Sequence, residues 1–156
     1  MKTLLTLLAL AVSLLAADTL GIATPLEKLN DYKYENQNKF PMPIPMATAR
    51  VIVSFEKDTG ALVNDYLDTK ESRYMADHNA VFIADINRMP SIITKLFALP
   101  KMQEYKHPIY LHYKDQFENF MPHQEEKLTI LRIKDGKVES ISYISTVEEL
   151  KAAIEK

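Results

Sequence analysis

The chain has 156 residues, a formal net charge of −2 at pH 7 and no cysteine. Because thiol–disulfide exchange and cysteine-based peroxide reduction need a thiolate, this composition excludes both activities, and it also excludes structural disulfides. Basic residues are not concentrated on any one stretch, so nucleic acid is not an expected partner.

Residues 1–17 have the pattern of a bacterial signal peptide. Lys2 precedes an unbroken apolar and small-residue run over 4–17. A run of this length is short for a membrane span and is typical of the central region of an export signal. We therefore predict cleavage after Ala16 or Ala17 and a periplasmic location. Retention of the segment as an anchor is the alternative, and it would be the protein's one contact with a membrane.

The next segment, residues 18–49, is predicted to be an irregular leader to a single domain at 50–156. Pro41, Pro43 and Pro45 alternate with apolar residues in this segment. Prolines at every second position exclude a helix and a central strand, and they favour extended backbone lying across a sheet edge. The chain is long enough for one domain with a hydrophobic core, but not for two.

The first part of the domain alternates between strands and helices. Residues 50–55 and 80–86 are apolar runs rich in β-branched residues, which are typical of buried strands. Between them, residues 61–74 carry apolar side chains at helical spacing. Asp58 and Thr59 precede this stripe and offer oxygens that could cap the helix.

A second helix is predicted after the second strand, followed by a third strand. Pro90 suits the first turn of a helix over residues 90–99, and Pro100 is expected to interrupt it. Pro108 then precedes an apolar run at 109–113, which is predicted to be a strand.

The end of the chain carries the clearest local signals. Residues 128–133 and 138–144 are predicted strands, and the Asp135-Gly136 pair between them is a strong hairpin signal. Thr146 and Glu149 form a capping box that opens a closing helix. This order predicts an α/β fold, with a mixed sheet of five strands flanked by helices, parallel pairs at the start and an antiparallel meander at the end.

The order of elements over residues 50–156 resembles the thioredoxin superfamily. The segment Gly60-Ala61-Leu62-Val63 stands where that family carries its Cys-x-x-Cys motif, with Gly60 and Val63 at the cysteine positions. His107-Pro108 resembles the family's X-Pro bond, usually cis, which faces the active site and opens a strand. Additional residues before Pro108 and an additional strand in the meander depart from the family pattern.

A narrower resemblance concerns the runs 53–55, 81–86, 89–93 and 97–102. They are similar to a small family of exported proteins of Campylobacter-like bacteria that carries the label FAD/FMN-containing dehydrogenase. The label implies a flavin-linked oxidoreductase. The glycines of this chain, at positions 21, 60 and 136, form no Gly-rich turn after a strand, so the residues themselves predict no flavin or other cofactor.

Two surfaces are candidates for binding. The Asp58-Thr59-Gly60 turn has backbone N–H groups that could bind an anion or a partner's carboxylate, with ordinary capping by Asp58 as the alternative. The second candidate is a groove around His107 and Pro108, with Tyr110 and Phe117 as its aromatic neighbours. If these side chains face Gly60, they form a surface for a small ligand or a peptide.

Other polar residues are candidates for acid–base chemistry and for a metal site. Asp85 ends a predicted parallel strand and is the best single candidate for acid–base chemistry, with a helix cap or loop anchor as the alternative. A weak metal site among His112, Asp115 and His123 is possible on ligand type, but surface histidines without a metal are expected.

These observations favour a binding function over an enzymatic one. We expect an exported thioredoxin-like protein without redox cysteines that acts as a binding or accessory protein of the periplasm. Its partner would be an unidentified periplasmic protein or a small ligand. A flavin-linked oxidoreductase, as the family label implies, is the alternative.

Overall fold

The computed structural model describes residues 18–114 and 116–156. The predicted signal peptide, residues 1–17, and Asp115 lie outside the described residues. Within them, five strands form one mixed sheet in the order β3-β2-β1-β4-β5, which confirms the predicted fold class. The strands are β1 (Arg50–Ser54), β2 (Ala80–Asp85), β3 (Tyr110–His112), β4 (Leu128–Lys134) and β5 (Lys137–Ile144).

The helices alternate with the strands as predicted, but their bounds differ. The first predicted helix is divided, because α1 ends at Asp68 and the chain turns before the short α2 begins. The helices are α1 (Lys57–Asp68), α2 (Tyr74–Asp77), α3 (Ser91–Ile93), α4 (Leu99–Gln103), α5 (Phe117–Phe120) and α6 (Val147–Glu155), with a 3₁₀ helix at Leu26–Asp31. Of the described helices, none has the length and apolar character that a membrane span requires.

The expected interruption at Pro100 is wrong, because the helical run continues through this proline. A π-helical turn at Thr94–Ala98 joins α3 to α4. In a regular α-helix the proline ring would clash with the carbonyl of Leu96, and the missing N–H would break a hydrogen bond. The wider π turn shifts the register of the backbone hydrogen bonds just before Pro100, so the helix accommodates the proline without ending.

β3 does not belong to the antiparallel end of the sheet. It pairs in parallel with β2, with Ile83 opposite Tyr110 and Asp85 opposite His112. The helical run after β2 is long enough to act as a crossover, and a crossover of this kind returns the chain in the parallel sense. The antiparallel part is therefore the β4–β5 hairpin together with the β1–β4 pair.

The two local signals near the end of the chain are confirmed. Asp135 and Gly136 both have positive φ, at 51° and 71°, as a two-residue hairpin turn of this type requires. The Thr146 hydroxyl accepts the Glu149 N–H at 3.2 Å, and the Glu149 carboxylate accepts the Thr146 N–H at 3.1 Å. This reciprocal pair satisfies donors that a helix start otherwise leaves open.

One face of the sheet is covered by helices. α1, α2, α4 and α6 bury their apolar sides on it, and the apolar periodicity of α1 predicts this orientation. The principal contacts join Ile52, Phe82, Leu111 and Ile130 of the sheet to Val63, Leu67, Leu99, Leu150 and Ile154 of the helices.

The opposite face is covered by residues 18–49 together with α5. Five apolar side chains of this segment are at most 4% exposed, and they pack on the sheet with the α5 region. Each buried side chain of this size contributes about 1.5–3 kcal/mol. Residues 18–49 therefore form the second layer over the sheet, through Leu20, Leu26, Leu29, Tyr34 and Ile44.

The outer edge of β3 is also closed by residues 18–49. Glu35 exchanges two backbone hydrogen bonds with Leu111, at 2.8 and 3.1 Å. Beyond Glu35, the buried Gln37 side chain accepts from the Ile109 N–H at 3.1 Å and donates to the His107 carbonyl at 2.9 Å. One side-chain amide thus replaces the next pair of strand hydrogen bonds on an edge that would otherwise be open.

We predict that Gln37→Ala lowers the free energy of unfolding by about 2–4 kcal/mol, because it leaves a buried N–H and a buried carbonyl without partners. Urea denaturation measures the change, and Gln124→Ala is the matched control because Gln124 is exposed. A loss no larger than that of the control would show that the amide does not hold the edge.

Candidate functional site

The three parallel strands end together, and we call this side of the sheet the C-terminal edge. It is defined by Ser54, Asp85 and His112, the last residues of β1, β2 and β3. β4 begins on the same side, because Thr129 pairs with Val53. Ligands of open α/β sheets bind outside the carboxyl ends of the strands, so a binding site is expected among the loops of this edge.

The start of α1 lies at this edge, and its cap differs from the expectation. The N-cap residue is Glu56, which makes no side-chain cap, and both Asp58 and Thr59 lie inside the first turn. The Glu56 carboxylate instead accepts the Glu126 N–H, with both oxygens at 3.1 Å. Capping by Asp58 is therefore wrong, because the helix begins earlier than the apolar stripe predicts. Two carboxylates beside the helix start also oppose the binding of an anion.

Gly60 and Val63, where the sequence resemblance places the two cysteines, lie inside α1 and are both used for packing. A Cβ atom added at Gly60 would lie 3.2 Å from the Ser54 hydroxyl oxygen. That hydroxyl is 3.0 Å from the Glu56 carbonyl oxygen and 3.1 Å from the Thr59 hydroxyl. Val63 is fully buried in the helix-side core. Neither position presents a reactive group, and the close approach at Ser54 accounts for a glycine at position 60.

We predict that the effect of Gly60→Ala depends on Ser54. In a Ser54→Ala background the alanine should stabilise the helix by about 0.5–1 kcal/mol, whereas with Ser54 present the crowded hydroxyl should remove most of this gain. A double-mutant cycle by urea denaturation measures the coupling. Gly21→Ala is the control, since nothing lies within 4 Å of its added Cβ. Equal effects of Gly60→Ala in both backgrounds would contradict the close-packing argument.

The segment facing the start of α1 is 121–127, which leads into β4. Here His123 packs over the Phe55 ring, with the ring centroids 4.7 Å apart. The Glu126 N–H reaches Glu56 from the same segment. His107-Pro108, which resembles the proline that faces the active site, does not occupy this place.

Pro108 lies at the opposite end of the parallel strands. It precedes Tyr110, the first residue of β3, whose register partner is Ile83. Pro108 is therefore level with the start of β2, roughly 10 Å along the strands from the level of Ser54. No peptide bond in the described residues is cis. The expectation that His107-Pro108 faces Gly60 is wrong, because the strand it opens is the parallel edge strand rather than the antiparallel neighbour of β1.

His107 is a buried histidine in a structural contact. It is 3% exposed, and its Nε2 lies 2.9 Å from Oδ1 of Asn64 in the middle of α1. Its Nδ1 has no hydrogen-bond partner in the described residues. Burial lowers the pKa of His107 to about 4, so the ring is neutral at pH 7 and Nε2–H donates to Asn64.

This burial predicts a pH dependence of stability. Because the pKa of His107 falls from 6.5 to about 4 on folding, the unfolded chain binds a proton more tightly between these values. Stability from this group is complete above about pH 6.5 and decreases by about 2–3 kcal/mol as the pH falls toward 4. Urea denaturation across this range should show that His107→Gln removes this part of the slope, whereas His123→Gln, at an exposed site, keeps it. Identical slopes in the two variants would overturn the assignment.

The remaining predicted residues are divided between the two ends of the sheet. Phe117 is fully buried beside the C-terminal edge, with its ring 5.8 Å from that of Phe55. Tyr110 and Pro108 line a cavity at the opposite end. The structure therefore brings Asp58, Thr59 and Gly60 together at one end and Pro108 and Tyr110 together at the other, and it does not form one groove from all of them.

The C-terminal edge holds a buried acid and a buried histidine that are register partners. Asp85 is 9% exposed, and its carboxylate accepts the Asn87 N–H at 3.0 Å. Desolvation by burial raises its pKa, opposed by the Asn87 hydrogen bond and by the charge of His112. Asp85 is the residue that the sequence singles out for acid–base chemistry, and its pairing with His112 follows from the parallel register of β2 and β3.

His112 is enclosed by aromatic rings. It is 1% exposed, its Nδ1 lies 3.1 Å from the Lys33 carbonyl oxygen, and its Nε2 has no partner in the described residues. Its nearest rings are Phe117, Tyr32 and Tyr34, with centroids at 5.0, 5.8 and 5.8 Å. A buried ring nitrogen without a partner is costly, and such groups concentrate at functional sites.

The histidines and acids do not gather into a ligand set. In residues 18–114 and 116–156, no three His, Asp or Glu side chains lie where they could hold a metal ion. His112 is buried, whereas His123 is exposed over Phe55, and Asp115 lies outside the described residues.

An apolar surface adjoins the C-terminal edge. We call it the apolar patch, formed by Ile92, Ile93, Leu96 and Phe97, which are 63, 42, 61 and 65% exposed. It lies on the helical run that follows the loop after Asp85. Arg88 of that loop donates through Nε to the Glu118 carboxylate at 2.8 Å, which ties the loop to α5.

Comparison with solved structures finds proteins with a similar fold. The chain matches a candidate protein disulfide isomerase from Bacteroides thetaiotaomicron with a TM-score of 0.51 and 11% identity, over 90% of this chain and 92% of that one. It matches an uncharacterised thioredoxin-like protein from Porphyromonas gingivalis with a TM-score of 0.52 and 13% identity, over 79% of this chain and 86% of that one. The fold is thioredoxin-like. No protein-family profile matches the sequence, and no curated protein matches it.

The chain therefore combines a thioredoxin-like fold with a sequence that has no cysteine. The N-terminus of α1 and the segment before β4 meet at the C-terminal edge, but the contacts between them are Glu56 with Glu126 and Phe55 with His123. Neither these contacts nor the comparisons support the flavin-linked alternative.

Proposed function

We propose that this chain is an exported, non-redox accessory protein that holds a partner protein at the C-terminal edge of its thioredoxin-like sheet. The apolar patch carries this proposal. The pattern of residues 1–17 supports export to the periplasm. Membership of the small exported family of Campylobacter-like bacteria is part of the same proposal, without the flavin activity that its label implies.

The apolar patch has the composition of a protein-binding surface. Its four side chains belong to one short helical run, so they form a contiguous surface rather than scattered exposed residues. The same run buries Thr94 and Leu99 on its inner side, so that side is already packed against the rest of the chain. Large aliphatic and aromatic side chains that remain in water on the outer side mark interaction sites, and aromatic residues are enriched in the centres of interfaces.

The buried polar pair also favours binding over catalysis. A catalytic acid or base must come within hydrogen-bond reach of its substrate. His112 is 1% exposed and lies beneath Tyr32 and Tyr34, so a substrate cannot reach its ring in this conformation. The groups that a partner can reach at this edge are the apolar patch and the loops beside it.

Site-specific photocrosslinking tests the proposal, because Phe97 and Phe40 form a matched pair. Both are phenylalanines that are 65% exposed, but Phe40 lies outside the apolar patch. The full chain, with a photoreactive phenylalanine analogue at position 97 or 40, is expressed in its source bacterium and irradiated. We expect one discrete covalent adduct from position 97, in the periplasmic fraction, and none from position 40.

A second substitution, placed beside the crosslinker, tests whether the adduct depends on the apolar patch. Ile93→Ser beside the crosslinker at position 97 should reduce the adduct at least about fivefold, because it removes buried apolar area from the same interface. Ile22→Ser, at an exposed isoleucine outside the apolar patch, should leave it unchanged. Equal adducts from positions 97 and 40, or equal effects of the two serine variants, would refute a specific surface.

A further inference from the structure

A cavity lies at the end of the sheet opposite the C-terminal edge. Its volume is about 240 Å³, and it opens between the first residues of β2, the start of β3, α2 and the proline-rich segment. Its apolar walls include Met75, Val81, Phe82 and Pro108, and none of its lining residues carries a formal charge.

Two buried hydroxyl-bearing side chains line this cavity. Tyr110 is 6% exposed and Thr48 is 5% exposed. Within residues 18–114 and 116–156, neither hydroxyl has a hydrogen-bond partner. Burial also raises the pKa of Tyr110, so its hydroxyl keeps its proton and can donate. Both hydroxyl oxygens open to the cavity rather than being sealed in the core, so a ligand bound there can pair with them.

We propose that this cavity binds a small, uncharged amphipathic molecule of the phenol class. The ligand's ring would lie against Met75, Val81 and Phe82, and its hydroxyl would pair with Tyr110 or Thr48. An apolar cavity of about 150 Å³ is sufficient for benzene, whereas drug-sized ligands occupy about 300–1,000 Å³. The observed volume falls between these values, which suits a substituted single ring.

The absence of charge in the lining residues argues against ionic ligands. A carboxylate or ammonium group would be desolvated in this cavity without a counter-charge, and that cost is large. A neutral hydroxyl needs one donor and one acceptor, which Tyr110 and Thr48 can supply. This site is separate from the apolar patch, so the proposal does not depend on the proposed function.

Titration of the full chain with phenol and with toluene, followed by heteronuclear NMR, tests this site. Phenol should cause saturable shifts at the amides of residues around the cavity. Tyr110→Phe should weaken phenol binding about tenfold and leave toluene binding unchanged, because it removes only the hydroxyl. Tyr143→Phe is the matched control, since Tyr143 does not line the cavity, and it should change neither.

A blocking variant separates this site from binding elsewhere. Ala76 is exposed on α2 and lines the cavity, so Ala76→Phe should fill its mouth while leaving the core intact. Loss of both phenol and toluene binding in this variant, with unchanged dispersion of the remaining amide signals, supports the proposal. It is overturned if phenol gives no saturable shifts, if Tyr110→Phe behaves like Tyr143→Phe, or if Ala76→Phe binds phenol normally.

Discussion

The whole arrangement depends on the packing of residues 18–49 against the sheet. Helices cover one face, and on the other face only the α5 region would cover the sheet without this segment. Its apolar side chains fill that face, while Glu35 and Gln37 satisfy the backbone of the edge strand β3. A short edge strand with an open side is a weak element, so this segment is what allows β3 to pair with β2 and to hold His112 in place.

The same segment determines the environment of the C-terminal edge. Tyr32 and Tyr34 place their rings beside His112, and the Lys33 carbonyl accepts from its Nδ1. Asp85 is desolvated beside it, and its raised pKa follows from that burial. The edge therefore keeps polar groups at a cost in stability, whereas Gly60 and Val63 contribute ordinary packing.

The two ends of the sheet differ in what they offer to other molecules. At the C-terminal edge the available surface is the apolar patch, which suits a protein partner. At the opposite end there is a small concave cavity with two unpaired hydroxyl groups, which suits a small molecule. Tyr110 and Pro108, predicted from sequence to share a surface with Gly60, lie at this second end. The distinction between the two sites follows from the parallel direction of β3.

The sequence by itself determined those features that depend on neighbouring residues. The buried strands, the Asp135-Gly136 hairpin, the capping box at Thr146 and the five-strand mixed sheet all follow from local periodicity and turn chemistry. The absence of thiol chemistry follows from composition. Asp85 could be singled out because a strand end is visible in the sequence.

Only the tertiary structure decided which residues meet. The parallel placement of β3 separates His107-Pro108 from Gly60 and brings His112 next to Asp85, because strand direction depends on a crossover and not on the strand's own residues. The exposure of Phe97 and Leu96 could not be predicted from the sequence either, since an apolar stripe has the same spacing whether it faces a core or water. Contacts between residues distant along the chain are set by how the layers stack, and local sequence pattern carries little information about that stacking.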